Sequence, residues 1–122
     1  MVIHASAEDY LETILVLKER HGIVHSIDIV NELGYSKPSI SIAMKKLREN
    51  GYISMAADGS ITLSESGLAI ASRVYQRHTV IAELFTLLGV SPETSAEDAC
   101  KVEHQISDET FERIQEFVNS KR

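Results

Sequence analysis

Residues 33–48 read LGYSKPSISIAMKKLR, and this stretch decides the fold class. Leu33 closes a short apolar segment with helical spacing, and Gly34 interrupts it. Ser36 is a preferred N-cap residue for a following helix, and Pro38 is tolerated in the first turn of that helix. Two helices joined by so short a turn form a helix-turn-helix.

The elements on either side extend this motif. Apolar spacing predicts a first helix that ends at about Arg20. Two β-prone runs, 52–55 and 60–63, flank Asp58-Gly59, which is a hairpin turn signal. Three helices and a hairpin follow the order of a winged helix-turn-helix. The chain is therefore predicted to be mainly α, with a winged helix-turn-helix DNA-binding domain with a small β-hairpin wing over residues 1–72.

The rest of the chain is predicted to be entirely helical. Near-heptad apolar spacing predicts a long helix over about 65–88 that links two domains. Ser95 is expected to cap a fifth helix that ends at Ile106, and Ser107 to begin a sixth. These last helices carry more apolar residues than a lone pair can bury. Residues 73–122 are therefore predicted to form a dimerisation domain, and the protein a homodimer.

Composition narrows the setting and the partners. The net charge of −6 argues against loose, charge-driven nucleic-acid binding by the whole surface, although a local basic patch remains compatible with it. One cysteine cannot form an internal disulfide, which indicates a reducing, cytoplasmic setting. The apolar run 79–90 is too short for a membrane span and contains Glu83. We find no signal-peptide pattern and expect no membrane partner.

The third helix, expected over 37–48, is basic and lacks acidic residues in a chain that is acidic overall. A basic run alone is often only a solvated helix face, but the helix-turn-helix context favours DNA. Serines in its first turns can bind phosphates or base edges, and Pro38 can contact a thymine methyl. Direct base readout is expected to be modest and to be helped by DNA shape and dimer spacing. The predicted DNA-binding residues are Ser36, Lys37, Pro38, Ser39, Ser41, Lys45 and Lys46.

A second group of residues indicates a metal. The segment Cys100-Lys101-Val102-Glu103-His104 places a thiol, a carboxylate and an imidazole on one side of a predicted helix, and these donors suit a borderline divalent metal. Asp9 and Glu12 on the first helix, and His78 in the apolar stripe of the long helix, are further candidates. Singly, each has an ordinary explanation as a core histidine, first-turn acids or a buried thiol. Jointly they favour a metal, because burying several acids without a cation is costly.

The chain resembles the diphtheria-toxin-repressor family of metal-dependent transcriptional regulators, most closely its short manganese-transport-regulator branch. The resemblance covers nearly the whole chain and is specific only in combination. It is carried by the segments EDYLETI (8–14), SKPSIS (36–41), TLSESG (62–67), RH (77–78) and ACKVEH (99–104).

The resemblance implies that metal ligands come from the metal-binding and dimerisation domain and from the first helix. Asp9 and Glu12 match ligands of the manganese branch, whereas Cys100 falls where the iron branch has a cysteine and the manganese branch a bridging glutamate. A thiolate moves preference away from Mn²⁺, towards Fe²⁺, Co²⁺ or Zn²⁺. The expected cofactor is Mn²⁺ or Fe²⁺, with Zn²⁺ or Co²⁺ as substitutes. The implied ligands are Asp9, Glu12, His78, Cys100, Glu103 and His104, with the backbone carbonyl of Cys100 as a further ligand.

The function implied by the resemblance is a metal-activated repressor of metal-homeostasis genes that binds a double-stranded DNA operator as a homodimer. The metal would clamp the first helix to the fourth and fifth, and would fix the two recognition helices about 34–36 Å apart or a multiple of that. Neither enzymatic activity nor a small-molecule substrate is expected.

Three alternatives remain open. The first is a metal-independent winged-helix regulator whose polar cluster is purely structural. The second is a zinc hydrolase with Glu12 or Glu103 as its base, although the chain has neither a His-Glu-x-x-His motif nor a nucleophile elbow. The third is a winged-helix module that binds proteins and no DNA.

Overall fold

The computed structural model describes residues 5–122. Six helices and a two-stranded hairpin within this range confirm the predicted mainly α, winged helix-turn-helix fold class. No helix in this range is long and apolar enough to cross a membrane. The elements in chain order are α1 (Ala5–His21), α2 (Ser26–Leu33), α3 (Lys37–Glu49), β1 (Ile53–Met55), β2 (Ile61–Leu63), α4 (Glu65–Leu87), α5 (Pro92–Val102) and α6 (Asp108–Ser120).

The chain divides into two compact units, the first ending at Ser72 and the second running from Arg73 to Arg122. In the first unit, the turn between α2 and α3 follows the sequence signals closely. Gly34 has a φ of 74°, a left-handed conformation that glycine adopts without strain, and its N–H donates to the carbonyl of Val30 at 2.8 Å. Ser36 then caps α3 by accepting a hydrogen bond from the N–H of Ser39.

The core of the first unit joins α1, α2, α3 and the N-terminal part of α4 to the hairpin. The two strands pair antiparallel, and the N–H of Ile61 also donates to the carbonyl of Val24 at 2.7 Å. The core fixes the inner side of α3 and leaves its outer side in solvent. The buried apolar residues are Leu11, Ile14, Leu17, Val24, Ile29, Ile40, Met44, Leu47, Ile53, Ile61 and Ala71.

A close backbone approach explains one glycine of the TLSESG segment. A Cβ atom added at Gly67, in the first turn of α4, would lie 2.1 Å from the carbonyl oxygen of Tyr52. Real Cβ atoms do not approach so near, and the opposing atom is backbone that cannot rotate away. Only glycine therefore fits where α4 passes the start of the hairpin.

In the second unit, the limits of α5 differ from those expected. The helix begins at Pro92, and its N-cap is Ser91, whose Oγ accepts from the N–H of Thr94 at 3.3 Å. The prediction that Ser95 caps this helix was wrong, since Ser95 is buried inside it. A serine followed by proline is the stronger start signal, because proline at N1 loses no intrahelical bond.

The end of α5 also came earlier than predicted, at Val102 instead of Ile106. Ser107 caps α6 as predicted, with its Oγ accepting from the N–H of Thr110 at 3.1 Å. The core of this unit is small and is built from all three helices. It consists of Val80, Ile81, Ala99, Phe111 and Val118.

Candidate metal centre

Three donor side chains converge in the second unit. His78 lies on α4, Cys100 on α5, and Glu103 at the residue that follows α5. His78 Nδ1 lies 2.9 Å from Glu103 Oε2 and 3.7 Å from Cys100 Sγ. One ligand atom from each of the three falls within 4.8 Å of the others. A nitrogen, an oxygen and a sulfur donor at this spacing suit a borderline divalent metal.

Glu103 is the member whose position most needs explanation. Its side chain is fully buried, and within residues 5–122 its Oε1 is the buried side-chain oxygen without a hydrogen-bond partner. His104 Nε2 lies 3.4 Å from this oxygen, but not in hydrogen-bonding geometry. An unsatisfied buried polar atom costs about 1–3 kcal/mol, and more when charged. A cation bound at Oε1 removes that cost, so the residues fit a divalent metal.

The same geometry determines the protonation of His78. Its hydrogen bond with Cys100, followed by that with Glu103, raises the pKa of His78 from 6.5 to about 10, while burial acts in the opposite direction. In the metal-free protein at neutral pH, His78 therefore carries a positive charge beside Glu103. A metal ion must displace this proton, because only neutral imidazole binds metals.

The end of α5 corrects the expected helix-face geometry. Cys100, Glu103 and His104 were predicted to share one side of a continuous helix. Instead, Glu103 is the C-cap residue, with φ −58° and ψ −25°, and His104 lies in the following turn. The side chain of His104 is nonetheless buried. The ligand candidates thus come from a helix and a turn.

Arg77 holds this turn, and sequence reasoning gave it no role. Its buried guanidinium donates to the carbonyl oxygens of Glu103 at 3.3 Å and Ile106 at 3.0 Å, and pairs with the carboxylate of Asp108. It also lies 5.1 Å from the ring centre of Phe111. These bonds satisfy carbonyls that the end of α5 leaves open. The sequence did contain a signal for this role, because Arg77 lies beside His78 in an apolar stripe. An arginine that is buried there requires polar partners.

Asp9 and Glu12 lie on α1, in the first unit, one turn apart. Both are half-buried, and the backbone carbonyl of Asp9 accepts a hydrogen bond from the hydroxyl of Thr13 at 2.7 Å. Their membership in the ligand set stays a prediction.

The seven predicted DNA-binding residues are all exposed, on α3 and the turn before it. One expectation about α3 needs correction, because the helix continues to Glu49, whose carboxylate lies 4.0 Å from Lys45 Nζ. The basic surface of this helix is therefore not free of acidic charge. Sequence reasoning also missed Ile42, which is 58% exposed on the same helix.

Two family models together match nearly the whole chain. Residues 3–61 match the family model for the N-terminal DNA-binding domain of iron-dependent repressors, and residues 64–122 match that for their metal-binding and dimerisation domain. An uncharacterised helix-turn-helix transcriptional regulator of Methanocaldococcus jannaschii is 35% identical over 93% of this chain and 92% of its own length. The transcriptional regulator MntR of Escherichia coli is 32% identical over 91% of this chain and 72% of its own length.

A solved structure gives the same result for the fold. A manganese-dependent transcriptional repressor in complex with manganese is 28% identical, with a TM-score of 0.84 over 93% of this chain and 52% of that one. The chain spans about half the length of this structure and of the structure of the manganese regulator SloR, 52% and 55% respectively.

A winged helix-turn-helix followed by a helical unit with a nitrogen, oxygen and sulfur donor cluster defines the class of metal-responsive, DNA-binding regulators of transcription. The chain belongs to the iron-dependent-repressor family, that is, the diphtheria-toxin-repressor family, and to its short, manganese-regulator-like branch. The resemblance inferred from the sequence is thereby confirmed.

Proposed function

We propose that this protein is a metal-activated repressor that binds operator DNA as a homodimer and controls metal-homeostasis genes. The observation that carries the proposal is the buried Glu103 carboxylate, one oxygen of which has no hydrogen-bond partner within residues 5–122. A bound divalent cation would satisfy that oxygen and replace the proton of His78. The proposed ligands are Asp9, Glu12, His78, Cys100, Glu103 and His104.

The metal is proposed to be Mn²⁺ or Fe²⁺, because the oxygen ligands and the sulfur ligand favour different metals. The carboxylates of Asp9, Glu12 and Glu103 favour hard Mn²⁺. The thiol of Cys100 favours Fe²⁺, and also Zn²⁺ or Co²⁺ as substitutes. A site with both donor types is expected to discriminate weakly between these metals.

The roles of the two segments are proposed as follows. Residues 1–72 bind DNA, and residues 73–122 bind metal and form the dimer. Three large apolar side chains of the second unit, Leu87, Leu88 and Phe117, are 46–68% exposed, which supports a partner subunit. Metal binding would fix the separation of the two recognition helices, and by linkage DNA would raise metal affinity by the same factor.

The DNA contacts are assigned to the exposed residues on and before α3. Lys37, Lys45 and Lys46 would neutralise phosphates. Serines would bind phosphates or base edges, and Pro38 would meet a thymine methyl. The serines concerned are Ser36, Ser39 and Ser41. We propose that the protein is located in the cytoplasm. We propose no catalytic role, no small-molecule substrate and no membrane partner.

Metal-dependent DNA binding tests the proposal. Duplexes are first selected from a randomised library, and binding is then followed by fluorescence anisotropy under anaerobic conditions during separate titrations with Mn²⁺ and Fe²⁺. Tight binding should require metal and should be lost in Glu103→Ala. Equal binding with metal and with a chelator would contradict metal activation.

A second candidate is the metal-independent regulator with a purely structural polar cluster. The observation that favours it is the 2.9 Å hydrogen bond between His78 and Glu103, which already pairs opposite charges without a metal. Equilibrium dialysis with Mn²⁺, Fe²⁺ and Zn²⁺ separates the two functions. Absence of binding at micromolar metal, in wild type as in Glu103→Ala, would favour the structural cluster.

A further inference from the structure

An isoleucine occupies the centre of the exposed side of α3. Ile40, Met44 and Leu47 form the buried side of this helix, and Ile42 is 58% exposed. Ile42 lies two residues from both Ile40 and Met44, which is about 200° around a helix, so it points away from the core. A single exposed aliphatic residue is common on protein surfaces. Its surroundings make this one informative.

The neighbours of Ile42 on the helix surface are residues suited to DNA. Pro38 and Ser39 lie one turn before it, and Lys45 and Lys46 one turn after it, and all four are exposed. Lysines at the edge of a helix surface that enters the major groove bind phosphates. The residues at the centre of that surface then face the base edges. Ile42 is that centre.

The chemistry of the side chain restricts what it can recognise. Isoleucine has neither a donor nor an acceptor, so it cannot hydrogen-bond a base. In the major groove, the apolar group that a base presents is the C5 methyl of thymine. Against cytosine, the same side chain would bury an amino group without a partner, which is unfavourable.

We propose that Ile42 is a specificity-determining residue that contacts the methyl group of a thymine at the centre of each half-site. The inference rests on the proposed function, because it requires α3 to enter the major groove. A groove of about 300 Å³, lined in part by Tyr10, Ser39 and Lys46, borders Ile42 and leaves its flank open to a ligand. The assignment adds to the predicted DNA-binding set a residue without a polar group.

The test removes the methyl group and nothing else. Duplexes are selected from a randomised library with wild-type protein and Mn²⁺, and each thymine of the enriched sequence is then replaced by deoxyuridine. One replacement in each half-site should weaken wild-type binding roughly fourfold, the effect of losing one buried methyl group. In Ile42→Ala the same replacement should have little effect, because the contact is already absent.

The chain offers a matched control. Ile23, in the loop between α1 and α2, is 60% exposed, so Ile23→Ala is the same chemical change at similar exposure outside α3. Ile23→Ala should keep the wild-type response to deoxyuridine. Both variants should unfold at the wild-type temperature, since neither residue belongs to the core.

Each other outcome overturns the inference in a distinct way. If a sequence is enriched and every thymine can be replaced equally well in wild type and Ile42→Ala, the inference fails and the proposed function stands. If duplexes are enriched equally with Mn²⁺ and with a chelator, metal activation fails and the deoxyuridine comparison still decides the inference. If no duplex is enriched under either condition, the proposed function and the inference both fail. If Ile42→Ala changes the sedimentation of the DNA-free protein, Ile42 serves a protein contact instead.

Discussion

Arg77 donates a hydrogen bond to the backbone carbonyl of Glu103 at 3.3 Å, from a guanidinium that is almost completely buried. The residue whose carbonyl is held also carries the buried carboxylate of the candidate metal centre. Arg77 further binds the carbonyl of Ile106 and the carboxylate of Asp108, the first residue of α6. One side chain thus fixes the turn between α5 and α6, from which the Glu103 carboxylate reaches His78.

Replacing Arg77 by methionine should weaken metal binding although no ligand is removed. The carbonyls of Glu103 and Ile106 would lose a buried donor, and the free energy of unfolding should fall by about 2–4 kcal/mol. Metal affinity should fall about 10–100-fold, as when an outer residue that orients a ligand is lost. Urea unfolding and calorimetric metal titration measure the two effects.

A rescue experiment distinguishes a positioning role of Arg77 from a general loss of stability. It uses Arg77→Ala, in which the small side chain leaves space for free guanidinium. Low millimolar guanidinium should partly restore metal affinity by filling the vacated site. Arg113→Met is the control, because Arg113 forms an exposed ion pair with Glu116 on α6, and its loss should leave metal affinity unchanged. Unchanged metal affinity in a folded Arg77→Met protein would remove the positioning role.

The sequence was most informative where its signals are local. Gly34, Ser36 and Pro38 define the turn before α3 by their own backbone preferences, so the start of that helix was predicted correctly. The prediction of the start of α5 was wrong because two serines were possible N-caps, and the N-cap is the one followed by Pro92. The burial of Glu103 and the role of Arg77 depend on partners 25 and more residues apart along the chain, which no local pattern contains.

The metal-free protein should lose stability as the pH rises through the pKa of His78. The pKa is about 10 in the folded protein and 6.5 for an unperturbed histidine, owing first to the hydrogen bond with Cys100 and then to that with Glu103. Because the folded pKa is the higher one, the stabilisation is complete below pH 6.5 and is lost between pH 6.5 and about 10. Urea unfolding of wild type and of His78→Gln across this range should show the difference.

Direct titration of the His78 ring by NMR provides the independent measurement. The midpoint in metal-free wild type should lie near 10, and in Glu103→Gln it should move towards 6.5, because the negative charge and one of the two acceptor oxygens are lost. Glu109→Gln, an exposed change on α6, should leave the midpoint where it is. A midpoint near 6.5 in wild type would mean that the His78–Glu103 pair is not formed in solution.

Lys46→Gln should weaken DNA binding by an amount that depends on salt. Lys46 is exposed on α3, and a lysine that neutralises one phosphate contributes about one to the slope of log affinity against log salt. The slope should therefore become shallower by about one, and equally for every duplex sequence tested. Lys18→Gln on α1 is the control and should keep the wild-type slope. A wild-type slope in Lys46→Gln would show that Lys46 does not contact DNA.

Cys100→Glu should move the metal preference towards Mn²⁺. Cys100 Sγ lies 3.7 Å from His78 Nδ1 and is the soft donor of the cluster, and a carboxylate in its place would offer the hard oxygen that Mn²⁺ prefers. The ratio of Mn²⁺ to Co²⁺ affinity should rise on the order of tenfold or more.

Cobalt spectroscopy reports the same ligand directly. Wild type loaded with Co²⁺ should show an intense near-ultraviolet band from thiolate-to-cobalt charge transfer, and the Cys100→Glu and Cys100→Ser variants should lack it. The serine variant should also bind Mn²⁺ less tightly than the glutamate variant, because a neutral hydroxyl is a weaker ligand than a carboxylate. A wild-type cobalt complex without the band would exclude Cys100 Sγ from the ligand set and leave the remaining oxygen and nitrogen donors to select the metal.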